Sequence, residues 1–435
     1  MNKSKWIECA LSAGFESFEI IEEGKKEKQV EWFQGAKERF VTSSVTSLTL
    51  RGVYEGHMAK LKTEDESDEN MEQVICDMKE LAQAITSEEV SEIRAPQEIS
   101  EVPDNGRIWK KPGQELIEKT LAEVEKKLLA FDERIFQAME MQWDEETTTR
   151  AITNSKGIDL KDETTVQIIV AGVAAKAGEE IKNGFNVKVV EDLESFDVDA
   201  FVKETCTKVL DKLGSASLKS GIYKVILDNK AMTTLFTALT DMFSGDLVGK
   251  GISPLTGKIG EQVFSEKITI VDDPFCKEAV YRPAFDNEGC PTSRKVLVEN
   301  GVVKGVLHDT KSAAKMGVES TGNGYSGVRP MNSFIVPGSK SLEQMCEEMG
   351  EGLVITDFQG IHAGLDHVTT DFSLQSNGYL ISGGKRVRSV SLITTAANYL
   401  DMMKHVVEVG NDIEWNYHMV ACPSVAFEGC SIAGE

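Results

Sequence analysis

The first part of the chain carries two hydrophobic patterns, one typical of helices and one typical of strands. A helical pattern at residues 4–13 is followed by strand-like runs at 15–22, 29–33, 39–50 and 52–62. Gly24, Gly35 and Gly52 are predicted to mark turns or bends between these runs, because glycine adopts the backbone conformations that tight turns need. The segment therefore predicts β-hairpins that follow a short helix.

The next part of the chain repeats both patterns. Apolar residues recur at helical spacing over 71–85 and again over 114–131, and the polar, proline-containing stretch 87–112 separates these two predicted helices. A turn is predicted at Asn154–Gly157, and a further helix at 199–213. Strand-like runs lie at 135–143, 147–153, 158–175 and 186–190.

The last half of the chain is rich in glycine and in short strand-like runs, and a small-residue linker is predicted before it at 214–221. We expect an α+β fold with mostly antiparallel sheets and flanking helices, in which an N-terminal α/β region precedes a Gly-rich, mainly-β C-terminal domain. Helices are predicted in this half at 230–243, 341–349 and 399–405. The predicted domains are 1–112, 113–220 and 221–435.

The charge balance excludes one class of partner. The 435 residues include 47 Lys and Arg against 71 Asp and Glu, a formal net charge of −24, whereas binding to nucleic-acid phosphates depends on clustered cations. No apolar run approaches the ~18 residues that a membrane helix needs, and no secretory signal is expected at residues 1–14. The eight cysteines are scattered without a Cys-x-x-Cys motif, which is typical of reduced thiols in the cytoplasm.

A series of short motifs after residue 220 is the most specific feature of the sequence. In order, they are Pro283–Gly289 with Thr292, Leu297–Gly301, Val306–Asp309, Gly317, Ser320–Gly322, Gly352–Thr356, Gly360–Gly364, Asp371–Ser373, Gly378–Leu380, Val409–Ile413 and Ile432–Gly434. Together they resemble the TldD/PmbA family, often labelled "modulator of DNA gyrase". The resemblance extends over nearly the whole chain and is strongest in 221–435.

The resemblance implies two branches with different chemistry. TldD-like members are zinc peptidases, with a His-Glu-x-x-x-His helix, a Gly-Asp pair shortly after it and a cysteine near the C-terminus. PmbA-like members, also called TldE, pair with them. Zinc takes neutral imidazole and thiolate ligands and keeps a position for water, and a carboxylate accepts the proton of that water.

The equivalent helix of this chain lacks the zinc-binding side chains. When Gly245-Asp246 is aligned with the Gly-Asp of the family, Phe236 and Thr237 occupy the positions of the first His and the Glu. Asp241 occupies the position of the second His. A phenyl ring cannot ligate a metal and a threonine hydroxyl is no base at neutral pH, so only Cys422 remains as a possible match to a ligand. The chain therefore resembles the PmbA/TldE branch, and no catalytic residue is predicted in it.

Other polar residues leave an alternative metal site open. His362 and His367 have the same five-residue spacing as the zinc pair, and with Asp371 or Cys422 they would provide a donor set for a metal ion. The simpler interpretation is a Gly-rich turn with two polar side chains.

The same choice applies to a possible substrate channel. His362, Asp371, Asn411 and Asp412 are candidates to line it. The alternative is that Asp and Asn side chains at these positions cap turns.

The preferred hypothesis follows from the missing ligands. We expect a cytoplasmic subunit without a cofactor of its own, which pairs with a TldD-like zinc peptidase and forms tunnel wall and peptide-binding surface for unfolded or small peptides. A homodimer is possible when the chain is alone. The alternatives are an autonomous metallopeptidase that uses His362, His367 and Cys422, and a gyrase-linked regulatory binding protein.

Overall fold

The computed structural model describes residues 1–86 and 92–435, and one long antiparallel sheet dominates the first half. Its strands are β1 (Ser17–Phe33), β2 (Ala36–Tyr54), β3 (His57–Thr63), β4 (Ile135–Asn154), β5 (Asp159–Ala177) and β6 (Glu180–Val189). They are arranged in the order β3-β2-β1-β4-β5-β6. Strand β6 therefore lies at one edge of this sheet.

Within the described residues, four helices cover one face of this first sheet. They are α1 (Lys3–Ser12), α2 (Met71–Ala84), α3 (Gln114–Phe131) and α4 (Val198–Leu210). Helices α1 and α2 pack on one end of the sheet around Trp6 and Phe18, and α3 and α4 pack on the other end around Trp143. Because successive side chains of a strand point to opposite faces, the alternate residues of the same strands form a second, more polar face.

The second half contains two further sheets around the largest apolar core. A six-stranded sheet has the order β14-β13-β12-β7-β17-β15, and a five-stranded sheet has the order β10-β9-β8-β11-β16. The strands are β7 (Gly221–Leu227), β8 (Ile270–Asp272), β9 (Lys295–Glu299), β10 (Val302–Val303), β11 (Ser333–Ile335), β12 (Gly352–Gln359), β13 (Asp371–Ser382), β14 (Lys385–Asn398), β15 (Val406–Val409), β16 (Val420–Ala421) and β17 (Val425–Ala433). The helices are α5 (Asn229–Leu239), α6 (Gly245–Gly249), α7 (Thr310–Met316), α8 (Leu342–Met349), α9 (Ile361–Gly364) and α10 (Tyr399–Lys404).

The predicted α+β class with mostly antiparallel sheets is confirmed. The division into domains stays a prediction, and the first sheet crosses one of its boundaries: β1 pairs with β4 along almost its full length, from Glu19–Asn154 to Trp32–Met141. Residues 87–91, which begin the predicted linker at 87–112, lie outside the described residues.

Two of the predicted turn glycines lie inside strands instead. Gly24 pairs with both neighbouring strands of β1, and Gly52 pairs with Phe18 across β1 and β2. A Cβ at Gly52 would lie 2.6 Å from the ring of Phe15, so glycine is needed there for close packing. The turn after β2 is instead at Glu55 and Gly56, which both have positive φ angles.

Candidate functional site

Helix α5 carries the segment that aligns with the zinc-binding helix of the family. It begins after Asp228, whose side chain accepts hydrogen bonds from the backbone N–H of Lys230 (3.1 Å) and Ala231 (2.8 Å). These bonds satisfy two of the N–H groups that a helix start leaves unpaired. Burial raises the pKa of Asp228 to about 7, although the same bonds act in the opposite direction.

The three aligned positions do not converge on one point. Phe236 is fully buried in the C-terminal core, whereas Thr237 on the next residue of α5 and Asp241 in the following 3-10 turn are exposed. Zinc requires three or four N, O or S ligands within ~2.0–2.3 Å of the ion. The side chains present here do not fit that requirement, because hydrocarbon fills the position of the first imidazole.

Cys422 lies against α5, but its thiol is in an environment that disfavours metal binding. It is fully buried in the same apolar cluster as Phe236, and its backbone N–H donates to the hydroxyl of Thr233 at 2.9 Å. Burial raises the pKa of the Cys422 thiol well above its usual value. Since the thiolate is the form that ligates metals, Cys422 is a core residue in this chain.

The glycine of the Gly245-Asp246 pair, on which the alignment is based, is required for steric reasons. The N–H of Gly245 donates to the carbonyl of Leu307 at 2.7 Å, and a Cβ at Gly245 would collide with the ring of His308. His308 is itself buried, and its Nδ1 lies 3.2 Å from the hydroxyl of Ser312. The pair thus permits α6 to pack closely against the segment before α7.

The structure does not assemble the alternative metal site. His362 on α9 and His367 after it are both exposed, while Cys422 is fully buried. Asp366, between the two histidines, accepts hydrogen bonds from the backbone N–H of Val368 (2.8 Å) and Thr369 (2.9 Å). Across residues 1–86 and 92–435, no group of three His, Cys, Asp or Glu side chains is placed to hold a metal ion.

The channel candidates mostly tie turns together. Asp371 accepts from the side-chain amide of Asn398 at 2.9 Å. Asn411 donates to the carbonyl of Ser339 at 3.2 Å, and Asp412 accepts from both the N–H and the hydroxyl of Ser424, at 2.8 and 2.6 Å. A channel role for these residues stays a prediction.

A groove that the sequence did not predict lies on the polar face of the first sheet. Three cavities of about 570, 350 and 400 Å³ form it, and we call it the sheet groove. Tyr281 lines the first and second cavities and Asn287 lines the first and third, so the three cavities are neighbours. Alternate residues of β1, β2, β4 and β5 form its floor, and loops around 281–288, 324–327 and 417–419 form its walls.

Charges of both signs lie on the floor of the sheet groove. The ammonium of Lys25 lies between the carboxylates of Glu27 and Glu146, and these hydrogen bonds raise the pKa of Lys25. Burial raises the pKa of Asp144, which lines the second cavity. A floor of this kind suits a polar, extended ligand better than an apolar one.

Two residues of the sheet groove have notable polar groups: Arg150 connects its floor to its wall, and Tyr325 has an unpaired hydroxyl. Arg150 on β4 donates to the carbonyl of Phe285 at 2.6 Å and to the side chain of Asn287, and its guanidinium lies 4.6 Å from the centre of the Phe285 ring. The hydroxyl of Tyr325 is buried and has no hydrogen-bond partner among the described residues. Because an unpaired buried polar atom is costly, the Tyr325 hydroxyl and the Nε of Arg150, which is also buried and unpaired among those residues, are the candidates to bind a ligand there.

The signal for this groove was weak in the sequence. Glu23, Lys25 and Glu27 alternate with other residues on β1, but such alternation is equally typical of a strand with one face in water. Its walls come from loops more than 100 residues away, so no local pattern connects floor and wall.

Two family models match most of the chain. Residues 220–434 match the PmbA/TldA metallopeptidase C-terminal domain, and residues 106–213 match the central domain of the same family. The chain belongs to the PmbA/TldD family. Among the described residues, no helix is both long and apolar enough to cross a membrane.

Individual members of the PmbA/TldD family are similar at moderate identity. The metalloprotease PmbA of Escherichia coli O157:H7 is 28% identical over 315 residues, which are 72% of this chain and 69% of that protein. A Thermotoga maritima structure, described as a proposed modulator of a DNA gyrase, has a TM-score of 0.90 and 27% identity and covers 99% of both chains. TldE from Thermococcus kodakarensis has the same fold, with a TM-score of 0.89 at 24% identity and 99% and 100% coverage.

Proposed function

We propose that this chain is the PmbA/TldE-like subunit of a two-subunit zinc peptidase, whose TldD-like partner holds the metal and which processes unfolded or small peptides. The observation that supports this most directly is the burial of Phe236 in hydrocarbon at the position of the first zinc-binding imidazole. The exposed Thr237 cannot replace the general base. This chain therefore contributes binding surface rather than the metal.

The sheet groove is the surface that this proposal assigns to the peptide. An unfolded peptide offers many main-chain donors and acceptors, and the polar floor and the unpaired Tyr325 hydroxyl offer matching groups. The mixed charges of Lys25, Glu27 and Glu146 favour no single net charge of the substrate. The groove would thus orient a peptide, and the metal of the partner would supply the hydrolytic chemistry.

The partner is the least direct part of the proposal. It rests on the incomplete metal site of this chain, since a peptidase of this family needs a complete site on some subunit. A homodimer is the alternative assembly when the chain is alone.

The test is an activity assay with and without a TldD-like partner. We expect no cleavage of an unstructured peptide by this chain alone and cleavage by the mixture. Substitution of the first motif histidine of the partner by alanine should abolish the activity of the mixture. By contrast, Asp241→Asn in this chain should leave it unchanged, because Asp241 is exposed and ligates nothing.

A variant of the sheet groove tests the substrate role separately. Tyr325→Phe removes only the hydroxyl and should raise the KM of the mixture for the peptide about threefold to tenfold, the cost of one hydrogen bond. Loss of activity with Asp241→Asn, or cleavage by this chain alone, would reject the proposed division of roles.

A further inference from the structure

A second cavity lies where the edge of the first sheet meets the C-terminal sheet. It has a volume of about 650 Å³, and we call it the junction cavity. Strand β6 and the C-terminal end of α4 form one side, and β12 to β14 with the start of α5 form the other. It shares no lining residue with the sheet groove.

Basic side chains outnumber acidic ones in this cavity, although the chain as a whole has a net charge of −24. The acidic lining residues are Asp211, Asp228 and Asp357. The basic lining residues are Lys182, Lys208, Lys212, Lys230 and Arg386. Lys208 and Lys212 lie one helical turn apart near the end of α4, where like charges repel each other.

Two of the five cations are neutralised by neighbouring carboxylates. Arg386 binds Asp211 at 2.6 Å, and Lys182 binds Glu180 at 3.3 Å. Asp357 accepts a hydrogen bond from a side-chain amide, and Asp228 accepts from backbone N–H groups, so neither pairs with a cation of residues 1–86 or 92–435. Lys208, Lys212 and Lys230 remain to be accounted for.

These three lysines have too few carboxylates. Lys208 (2.8 Å) and Lys230 (3.3 Å) share the carboxylate of Glu204. Lys188 also contacts Glu204 at 3.1 Å, but it has a second carboxylate partner in Glu414 at 2.7 Å. Within the described part of the chain, the ammonium of Lys212 has no ion-pair partner. Lys212 is therefore left without an ion pair among the described residues, and Lys208 and Lys230 have one carboxylate between them.

The titration of this cluster agrees with repulsion between Lys208 and Lys230. Burial, followed by the charge of Lys230, lowers the pKa of Lys208 to about 8. Burial acts to raise the pKa of Glu204, but the hydrogen bonds from Lys208 and Lys188 lower it to about 2. A ligand with negative charge would relieve the repulsion among the lysines.

The rim of the junction cavity has two features of a peptide-binding edge. No strand of residues 1–86 or 92–435 pairs with the outer edge of β6, so its backbone groups are available for an added strand. Ile181, Phe185 and Leu392 lie at the rim with 56%, 58% and 72% of their surfaces exposed. A small anion would use neither feature.

We propose that the junction cavity binds an extended peptide segment that carries carboxylates next to apolar side chains. Its main chain pairs with the open edge of β6, its apolar side chains cover Ile181 and Phe185, and its carboxylates bind Lys208, Lys212 and Lys230. The site does not depend on the zinc-subunit proposal, because it is formed by this chain alone.

Fluorescence anisotropy with the purified full-length chain tests the site. The probe is a labelled octapeptide of alternating Glu and Val residues. We expect saturable binding that weakens as salt rises. The double variant Lys212→Gln, Lys230→Gln should weaken binding about tenfold or more, while Lys126→Gln, an exposed lysine on α3, should leave it unchanged.

Three further ligands test the lysines, the pairing with β6 and the preference for a peptide separately. The same peptide with Gln in place of Glu should bind much more weakly, and equal binding would overturn the role of the lysines. A peptide N-methylated at alternate backbone nitrogens should lose affinity, and unchanged affinity would overturn the pairing with β6. Free glutarate should compete poorly, and competition equal to that of the unlabelled peptide would reduce the cavity to a small-anion site. Wild-type affinity in the double variant would overturn the proposal as a whole.

Discussion

Cys422 and Phe236 belong to the same apolar cluster beside α5, and neither contacts solvent. A zinc centre needs the opposite environment, with deprotonated or neutral donors around an open position for water. At the scale of single residues, the departure from a peptidase site therefore concerns burial as well as side-chain chemistry. The partly buried carboxyl of Asp228 at the start of α5, with a raised pKa, is another unusual titratable group of this region.

The burial of Cys422 predicts its reactivity. In the folded chain, iodoacetamide at neutral pH should modify the exposed Cys76 and leave Cys422 unmodified, because burial keeps that thiol protonated and inaccessible. Peptide mass spectrometry of native and denatured samples measures this, and Cys76→Ser is the control. Rapid native labelling of Cys422 would show that the site is open.

The pKa of Asp228 predicts a pH-dependent stability. Folding raises this pKa from 3.8 to about 7, so the group stabilises the fold fully below about pH 4, and that contribution is lost as the pH rises through 7. Asp228→Asn keeps an oxygen acceptor for the helix start but removes the charge. Between pH 4 and 8, the free energy of unfolding of the variant should therefore rise relative to that of the wild type by about 4 kcal/mol. Urea unfolding at both pH values measures this, and parallel pH dependences would contradict the burial of a charged carboxyl.

At the scale of elements, helix α6 packs closely against Leu307 and His308, and this contact depends on Gly245. Gly245→Ala should destabilise the chain by about 2–3 kcal/mol, because a Cβ there collides with His308 and lies 2.7 Å from the carbonyl of Leu307. Gly249→Ala, in the same helix, is the matched control. Its Cβ would meet only Met316, at 3.5 Å, and alanine favours the helix. Thermal unfolding compares the two variants, and equal losses would contradict the steric argument.

Elements with a continuous pattern could be predicted from the sequence. The stripe over 114–131 predicts α3 with its observed bounds, and the stripe over 71–85 predicts α2 to within a residue. The prediction of turns at Gly24 and Gly52 was wrong, because glycine also occurs inside strands that pack tightly against neighbouring side chains. No local signal in the sequence distinguishes a turn glycine from such a strand glycine. The two strand runs at 135–143 and 147–153 are one strand, β4, since its polar positions face the sheet groove instead of ending the strand.

Part of the candidate site could likewise be predicted from the sequence and part could not. The missing zinc ligands at 236, 237 and 241 could be identified from the motif alone, because the alignment needs only the order of residues. The sheet groove and the junction cavity could not, because each joins segments that are distant in the chain. Their lining depends on how the first sheet meets the C-terminal half.

At the scale of the whole molecule, the net charge of −24 opposes direct contact with DNA. The chain should cause no mobility shift of duplex DNA at about 0.15 M salt, a concentration at which surface attraction is already screened beyond ~8 Å. Linear and supercoiled DNA should both show unchanged mobility. A shift that weakens steeply with salt would revive the regulatory alternative.

We propose that the zinc is held by the TldD-like partner and not by this chain. Elemental analysis of the chain purified alone, and of its complex with a TldD-like subunit, tests this most directly. We predict much less than one zinc per chain in the isolated protein and one zinc per heterodimer in the complex. Stoichiometric zinc in the isolated chain, lost in a Cys422→Ser variant, would contradict the account.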